Sequence, residues 1–134
     1  MNSDFGVIGN GEMLAKVRVD GAVTEAFYPS IGFFRHLLQS QFGVYLPDTQ
    51  ECVWFAPPEF EVEQTYLQDT NVLQTTYSRP GLSARVVDFV HPEISGVVRT
   101  LEVHNFSEEP RALHLFHTEA SSVADHKGEF GYNV

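Results

Sequence analysis

Three groups of side chains have types and spacings that bear on chemistry. Glu59, Glu61 and Glu63 stand at alternate positions, so on a strand they line one face. Glycoside hydrolysis needs a carboxylic acid of raised pKa and a second, ionised carboxylate at a fixed separation. A short alternating acidic run more often solvates a face than catalyses, and that is the expectation for these three. His114 and His117, with Glu119 and His126 beyond them, carry ligand types that zinc accepts. Positions three apart on a strand point to opposite faces. His114 and His117 would therefore share an ion only on a helix or at a bulge, and no metal site is expected. Cys52 is the single cysteine and has no histidine near it in sequence. It is expected to pack as a small hydrophobe, and with no second thiol there is no internal disulfide. No cofactor is expected: Gly9-Asn10-Gly11 lacks both the third glycine of a dinucleotide loop and the G-K-[ST] ending of a P-loop. Asn105-Phe106-Ser107 is a glycosylation sequon, meaningful only in a secretory pathway. Asp88, inside an apolar run, is expected to be buried, hydrogen-bonded and structural.

Aromatic residues are the other resource: eleven Phe, five Tyr and one Trp. Tyr28, Phe33, Phe34, Tyr45, Trp54 and Phe55 are candidates for a sugar-stacking platform or an interdomain surface, and His36 lies within the same aromatic segment. Sandwich core is the competing role for most of them. Phe33 and Phe34, adjacent and outside any clear strand, are the best interface candidates.

The elements that must hold these residues are strands. From Met13 the apolar residues Met13, Ala15, Val17 and Val19 alternate with the charged Lys16, Arg18 and Asp20, the period of a half-buried strand. The turn before it, Gly9-Asn10-Gly11, brackets an Asn with two residues that tolerate positive φ. The turn after it, Asp20-Gly21, is the pair preferred by a type I′ hairpin. Val23 to Tyr28 returns as the next strand. Ser30 to Gln41 is the one segment with helical spacing, through Phe33, Phe34, Leu37 and Leu38, and reads equally well as an aromatic loop. Strand patterns then follow: Phe42-Val44-Leu46; Glu51 to Ala56, with Val53 and Phe55 opposite Cys52 and Trp54; Glu61 to Gln68; and Asn71 to Ser78. Pro57-Pro58 ends the second of these, since proline cannot donate to a ladder. Pro80-Gly81 suits a type II turn into Leu82 to Val90, whose one face carries Leu82, Ala84, Val86 and Val90. Val97 to Asn105 and Arg111 to Thr118 are expected to form the last pair. About ten strands at this rhythm, with no βαβ alternation, predict an all-β antiparallel sandwich.

A chain of 134 residues fits one domain and can bury a core. Eight basic against eighteen acidic residues leave a net charge of −10. That field repels phosphate backbones and anionic lipid, so no nucleic-acid or membrane partner is expected. The amino terminus has neither a basic n-region nor an apolar h-region, which points to a cytoplasmic location.

One ordered set of residues resembles a known family. Ile8-Gly9-Asn10-Gly11, a strand, Asp20-Gly21, a second strand and Phe27-Tyr28-Pro29 are similar to the amino terminus of prokaryotic glycoside hydrolase family 15 proteins, the glucoamylases, glucodextranases and related trehalases. The likeness continues through His36, Gly43-Val44-Tyr45, Trp54 and Val98-Arg99-Thr100-Leu101-Glu102-Val103-His104-Asn105. Glu12 departs from the pattern, standing where the family often has a basic residue. The resemblance implies that residues 1–134 belong to an amino-terminal β-sandwich, part of a larger super-sandwich of galactose-mutarotase type and incomplete within this stretch. It implies a catalytic (α/α) helical barrel as the partner domain, absent from these residues, and an α-glucan or oligosaccharide as the parent's substrate. The family's catalytic glutamates lie in that barrel and match nothing here, so no catalytic residue is assigned. Two other readings stand beside it: a stand-alone carbohydrate-binding β-sandwich module, and a non-functional product of a larger gene.

Overall fold

The computed structural model describes residues 5–28 and 35–121, and within them ten strands and no helix. The strands are β1 (Phe5–Gly9), β2 (Leu14–Arg18), β3 (Val23–Phe27), β4 (Arg35–Leu46), β5 (Glu51–Trp54), β6 (Glu61–Tyr66), β7 (Leu73–Arg79), β8 (Leu82–Val90), β9 (Val97–Asn105) and β10 (His114–Ser121). They make two antiparallel sheets packed as a sandwich, as the alternation predicts. One sheet runs β1-β2-β3-β4-β10, with β5 also paired to β4; the other runs β6-β7-β8-β9.

Alternation places the core. Ala15 and Val17 on β2, Val44 and Leu46 on β4, and Leu82, Ala84 and Val86 on β8 are all buried. They face the opposite sheet, where the apolar area they withdraw from water stabilises the pair of sheets. Phe55, Phe60 and Tyr77 meet at the centre of the larger cluster, with ring centroids 5.0 and 5.4 Å from Phe55. A second cluster gathers Ile8, Val23, Leu73 and Val90 around β1 to β3. The free edge of β1 is closed by one side chain from the other sheet: the Val7 N–H donates to the Tyr66 hydroxyl, which donates in turn to the Val7 carbonyl, both at 2.8 Å. A hydroxyl thus supplies both halves of a missing strand's hydrogen bonding, one way of protecting an exposed edge.

The structure corrects four expectations. Residues 35–41 are strand, not helix or loop. In β4 they pair with β3 on one edge and β10 on the other, so neighbouring strands, not an i−4 ladder, satisfy the backbone. Ser30 to Phe34 lie outside the described residues. The stretch after Asn105 does not pair back on β9. Instead the nine-residue β9 ladder is taken by β8, and the chain crosses to the other sheet, where β10 pairs with β4 from His114↔Tyr45 onward. Arg111 fixes the crossing by donating from Nε to Asp48 at 2.7 Å.

The Asp20-Gly21 turn is not type I′, because among its residues only Gly21 has positive φ, +86°. Gly21 N–H donates to the Arg18 carbonyl at 2.7 Å and Arg18 N–H to the Ala22 carbonyl at 2.8 Å. That is the three-residue loop in which a glycine in the left-handed region follows a tight turn. Asp20 is freed to accept from the Ala22 N–H and the Arg18 guanidinium. Finally, Cys52 is exposed rather than packed, since it shares the outward face of β5 with Trp54. By contrast Val53 and Phe55 are buried, as their parity predicts. Gly81, with φ +80° between the paired Arg79 and Leu82, fits the expected type II turn.

Candidate functional site

Two clusters hold the residues with chemical potential, and both are built on β4. On its outward face, strand register makes rows. Cys52, Tyr45 and His114 stand side by side across β5, β4 and β10, and Trp54, Gly43 and Phe116 form the next row. Gly43 has no side chain, and Phe116 fills that space. A Cβ built on Gly43 would lie 2.3 Å from the Phe116 ring, so any side chain there would push the ring from its place. The Phe116 ring reaches across to meet Trp54 edge to face at 5.3 Å, a favourable geometry for aromatic quadrupoles. Tyr45 and His114 tilt together at 5.9 Å in the neighbouring row. Trp54 is 41% exposed. Among the described residues, none hydrogen-bonds to the Trp54 indole N–H, the Tyr45 hydroxyl or the His114 ring.

The inward face of β4 carries the second cluster. Arg99 on β9 spends every N–H it has: Nε and Nη2 donate to the Asp88 carboxylate, Nη1 to the Ser40 carbonyl and hydroxyl at 2.9 and 3.0 Å, and Nη2 also to the Gly21 carbonyl. Its guanidinium lies 5.1 Å from the Phe42 ring centroid. Asp88 is fully buried and Arg99 nearly so. Burial outweighs the Arg99 partner and holds the Asp88 carboxyl above the usual carboxylate range. Ser40 Oγ lies 2.7 Å from His117 Nε2. Since Ser40 Oγ already accepts from Arg99, its own proton is available to His117. A cleft bordered by Leu37, Arg99, His117 and Glu119 opens beside this chain of bonds. With no free donor left on Arg99 it cannot hold an anion, and the cluster is a strut joining the sheets.

The candidates from the sequence scatter. Tyr28 is exposed, and its carbonyl lies 2.9 Å from His36 Nε2, so the two clasp the ends of the connection between β3 and β4. Gly43 lies seven positions along β4 from His36, about 23 Å in a strand, so Trp54 belongs to a different surface. Phe33 and Phe34 lie outside the described residues, as does His126. Phe55 is core. Glu59, Glu61 and Glu63 are exposed, as expected of a solvated face, and Asp88 is structural. His114 and His117 do fall on opposite faces of β10, beside Tyr45 and Phe42 respectively. Sequence reading assigned no role to Phe116, weighed His114 only as a metal ligand and named Arg99 only within the resembling run. A glycine inside a strand was the available signal for the first.

The Gly9-Asn10-Gly11 turn proves to be a staple. Asn10 Oδ1 accepts from the N–H groups of Glu12 and Met13, both at 2.9 Å, and Nδ2 donates to the carbonyls of His91 and Ile94. The β1–β2 turn is thereby tied to the β8–β9 turn. Only Gly11 has positive φ, +97°; Gly9 is needed for room, since a Cβ there would meet the Met13 carbonyl at 2.9 Å. Asn10→Ala is expected to lower stability by about 2 kcal/mol, through four lost bonds that are partly replaced by water. A denaturant melt checks this.

No family model matches the chain, and no solved structure matches it. Among curated proteins it is similar to an uncharacterized glycosyl hydrolase of Methanocaldococcus jannaschii, 24% identical over 120 residues. The match covers 90% of this chain and 19% of that protein, so the chain spans about a fifth of the length of the curated relative it matches. What the comparison supports is a relationship to a protein named as a glycosyl hydrolase.

Proposed function

We propose that this chain is the amino-terminal scaffold portion of a glucoamylase-like glycoside hydrolase. The whole protein hydrolyses terminal α-glucosidic bonds of maltooligosaccharides or a related α-glucan. It does so with inversion, one glutamate acting as acid and another activating water, both supplied by a helical barrel outside these residues. The observation that carries the reading is where the resembling motifs sit in the fold. Ile8-Gly9-Asn10-Gly11 is the strand and staple of the β1–β2 turn, Asp20-Gly21 is the turn that meets Arg99, and Val98 to Asn105 is the β9 strand bearing Arg99. These are framework positions, and their order runs through a chain related to a glycosyl hydrolase. Function does not follow from a sandwich fold alone, so the motif order and that relative bear the weight.

The carboxylates fit a scaffold. Glu61 and Glu63 lie exposed to solvent on one strand, as a solvated face requires. A longer protein carrying this sequence is expected to release glucose from the non-reducing ends of maltooligosaccharides, with the inverted anomer observed first by NMR. Residues 1–134 alone are expected to release none. Turnover by those residues, abolished by Glu61→Gln or Glu63→Gln, would overturn the scaffold reading. The exposed Trp54 favours one alternative, a stand-alone carbohydrate-binding module, which predicts sugar binding without any attached barrel.

A further inference from the structure

The outward rows on β5, β4 and β10 form an uncharged surface on a strongly acidic chain. In the next row along, Gln41 is buried and accepts from Gln39 Nε2, and the exposed Thr118 extends the surface with a hydroxyl. None of the residues in these rows is Asp, Glu, Lys or Arg, although the chain holds eighteen acidic and eight basic residues. We propose that this surface binds a neutral oligosaccharide, with Trp54 and Phe116 as its stacking corner and Tyr45, His114 and Thr118 as its polar rim.

Three observations converge on that ligand class. Trp54 and Phe116 meet at an interplanar angle of 70°, so the pair presents two walls rather than one flat ring. A pyranose carries C–H groups on its faces and hydroxyls around its rim, and an apolar aromatic wall beside free polar groups matches both. The Trp54 indole N–H and the Tyr45 hydroxyl are donors with no hydrogen-bond partner among the described residues, and the His114 ring can donate or accept. The rows repeat at about 7 Å along β4, which gives the surface the length for an oligosaccharide rather than one ring. Charge decides between sugar classes: a net charge of −10 repels uronates and phosphates but is indifferent to neutral glycans. The proposal takes only its choice of α-linked ligand from the function proposed above.

Trp54 is the single tryptophan, so its fluorescence reports this surface without background. Titration with maltoheptaose to about 10 mM fills most of a site whose Kd is about 1 mM. The expected result is a saturable change in Trp54 emission that persists from about 0.1 M to about 1 M salt, because no ion pair is involved. Phe116→Leu keeps an apolar cover over Gly43 and is expected to weaken binding about tenfold. Phe106→Ala, at an exposed ring outside both sheets' strands, is expected to leave it unchanged. No change with either maltoheptaose or cellohexaose, in protein with native near-UV circular dichroism, overturns the site and leaves the hydrolase reading standing. Binding that is unaffected by Phe116→Leu also overturns it. A response to cellohexaose alone upholds the site and overturns the α-glucan reading.

Discussion

Arg99→Met should cost the fold about 3–5 kcal/mol, the range for removing one partner of a buried ion pair. The reason lies in what is left behind. Asp88 is fully buried, and without Arg99 its carboxylate has neither a counter-charge nor its two hydrogen bonds. The Ser40 and Gly21 carbonyls lose their donor in the same step. Because those carbonyls belong to the other sheet, the loss is one of sheet-to-sheet cohesion, and the melt should broaden as well as shift. The variant carries a pH signature. Burial raises the folded-state pKa of Asp88, and in the variant it rises further. A raised carboxyl pKa makes the folded state bind the proton more tightly than the unfolded one. Stability is therefore recovered as pH falls from neutral through the folded value toward the ordinary carboxylate range, and lost again on the way back up. Asp88→Asn combined with Arg99→Met should be less damaging than Arg99→Met alone at neutral pH, since no charge is stranded. Guanidinium melts of the single and double variants at neutral and mildly acidic pH check both points. Equal destabilisation at every pH would mean that Asp88 is not the group left exposed to the cost.

Gly21→Ala should cost about 3–4 kcal/mol, more than an ordinary turn substitution, because two penalties coincide. The residue sits at φ +86°, where a Cβ costs about 1–2 kcal/mol. That Cβ would also lie 1.8 Å from the Tyr77 hydroxyl oxygen, so Tyr77 must move. Tyr77 is buried and donates to the Asp20 carbonyl at 2.7 Å, and burial pushes its phenol pKa up, keeping it a donor at every ordinary pH. Displacing it leaves polar groups unpaired, at roughly 1–3 kcal/mol. Removing the hydroxyl removes the clash. Tyr77→Phe in the Gly21→Ala background should therefore cost less than the two single changes added together, by about 1 kcal/mol or more. Strict additivity in thermal melts would show that the turn relaxes away from Tyr77.

Ordinary alternation of side chains settled much about this protein from its sequence alone. Ala15 and Val17, Val53 and Phe55, and Leu82, Ala84, Val86 and Val90 face inward as their parity requires, because a strand's two faces are decided by position and water, whichever strand lies beside it. Turns with glycine at a needed dihedral, Gly21 and Gly81, could also be located, although the type at Asp20-Gly21 could not. Its outcome depends on Asp20 finding Arg18 and Ala22 as partners. Parity is silent on which edge meets which, and there the tertiary structure decided. The period of β10 is compatible with pairing to β9, but β9 pairs with β8 and Arg111 meets Asp48, which sends β10 to β4. That one crossing lays Phe116 over Gly43 beside Trp54 and sets His117 against Ser40. Both clusters on β4 therefore join residues more than fifty positions apart. Their meeting reflects competition among sheet edges for hydrogen-bond partners, a contest between distant segments that no local pattern records.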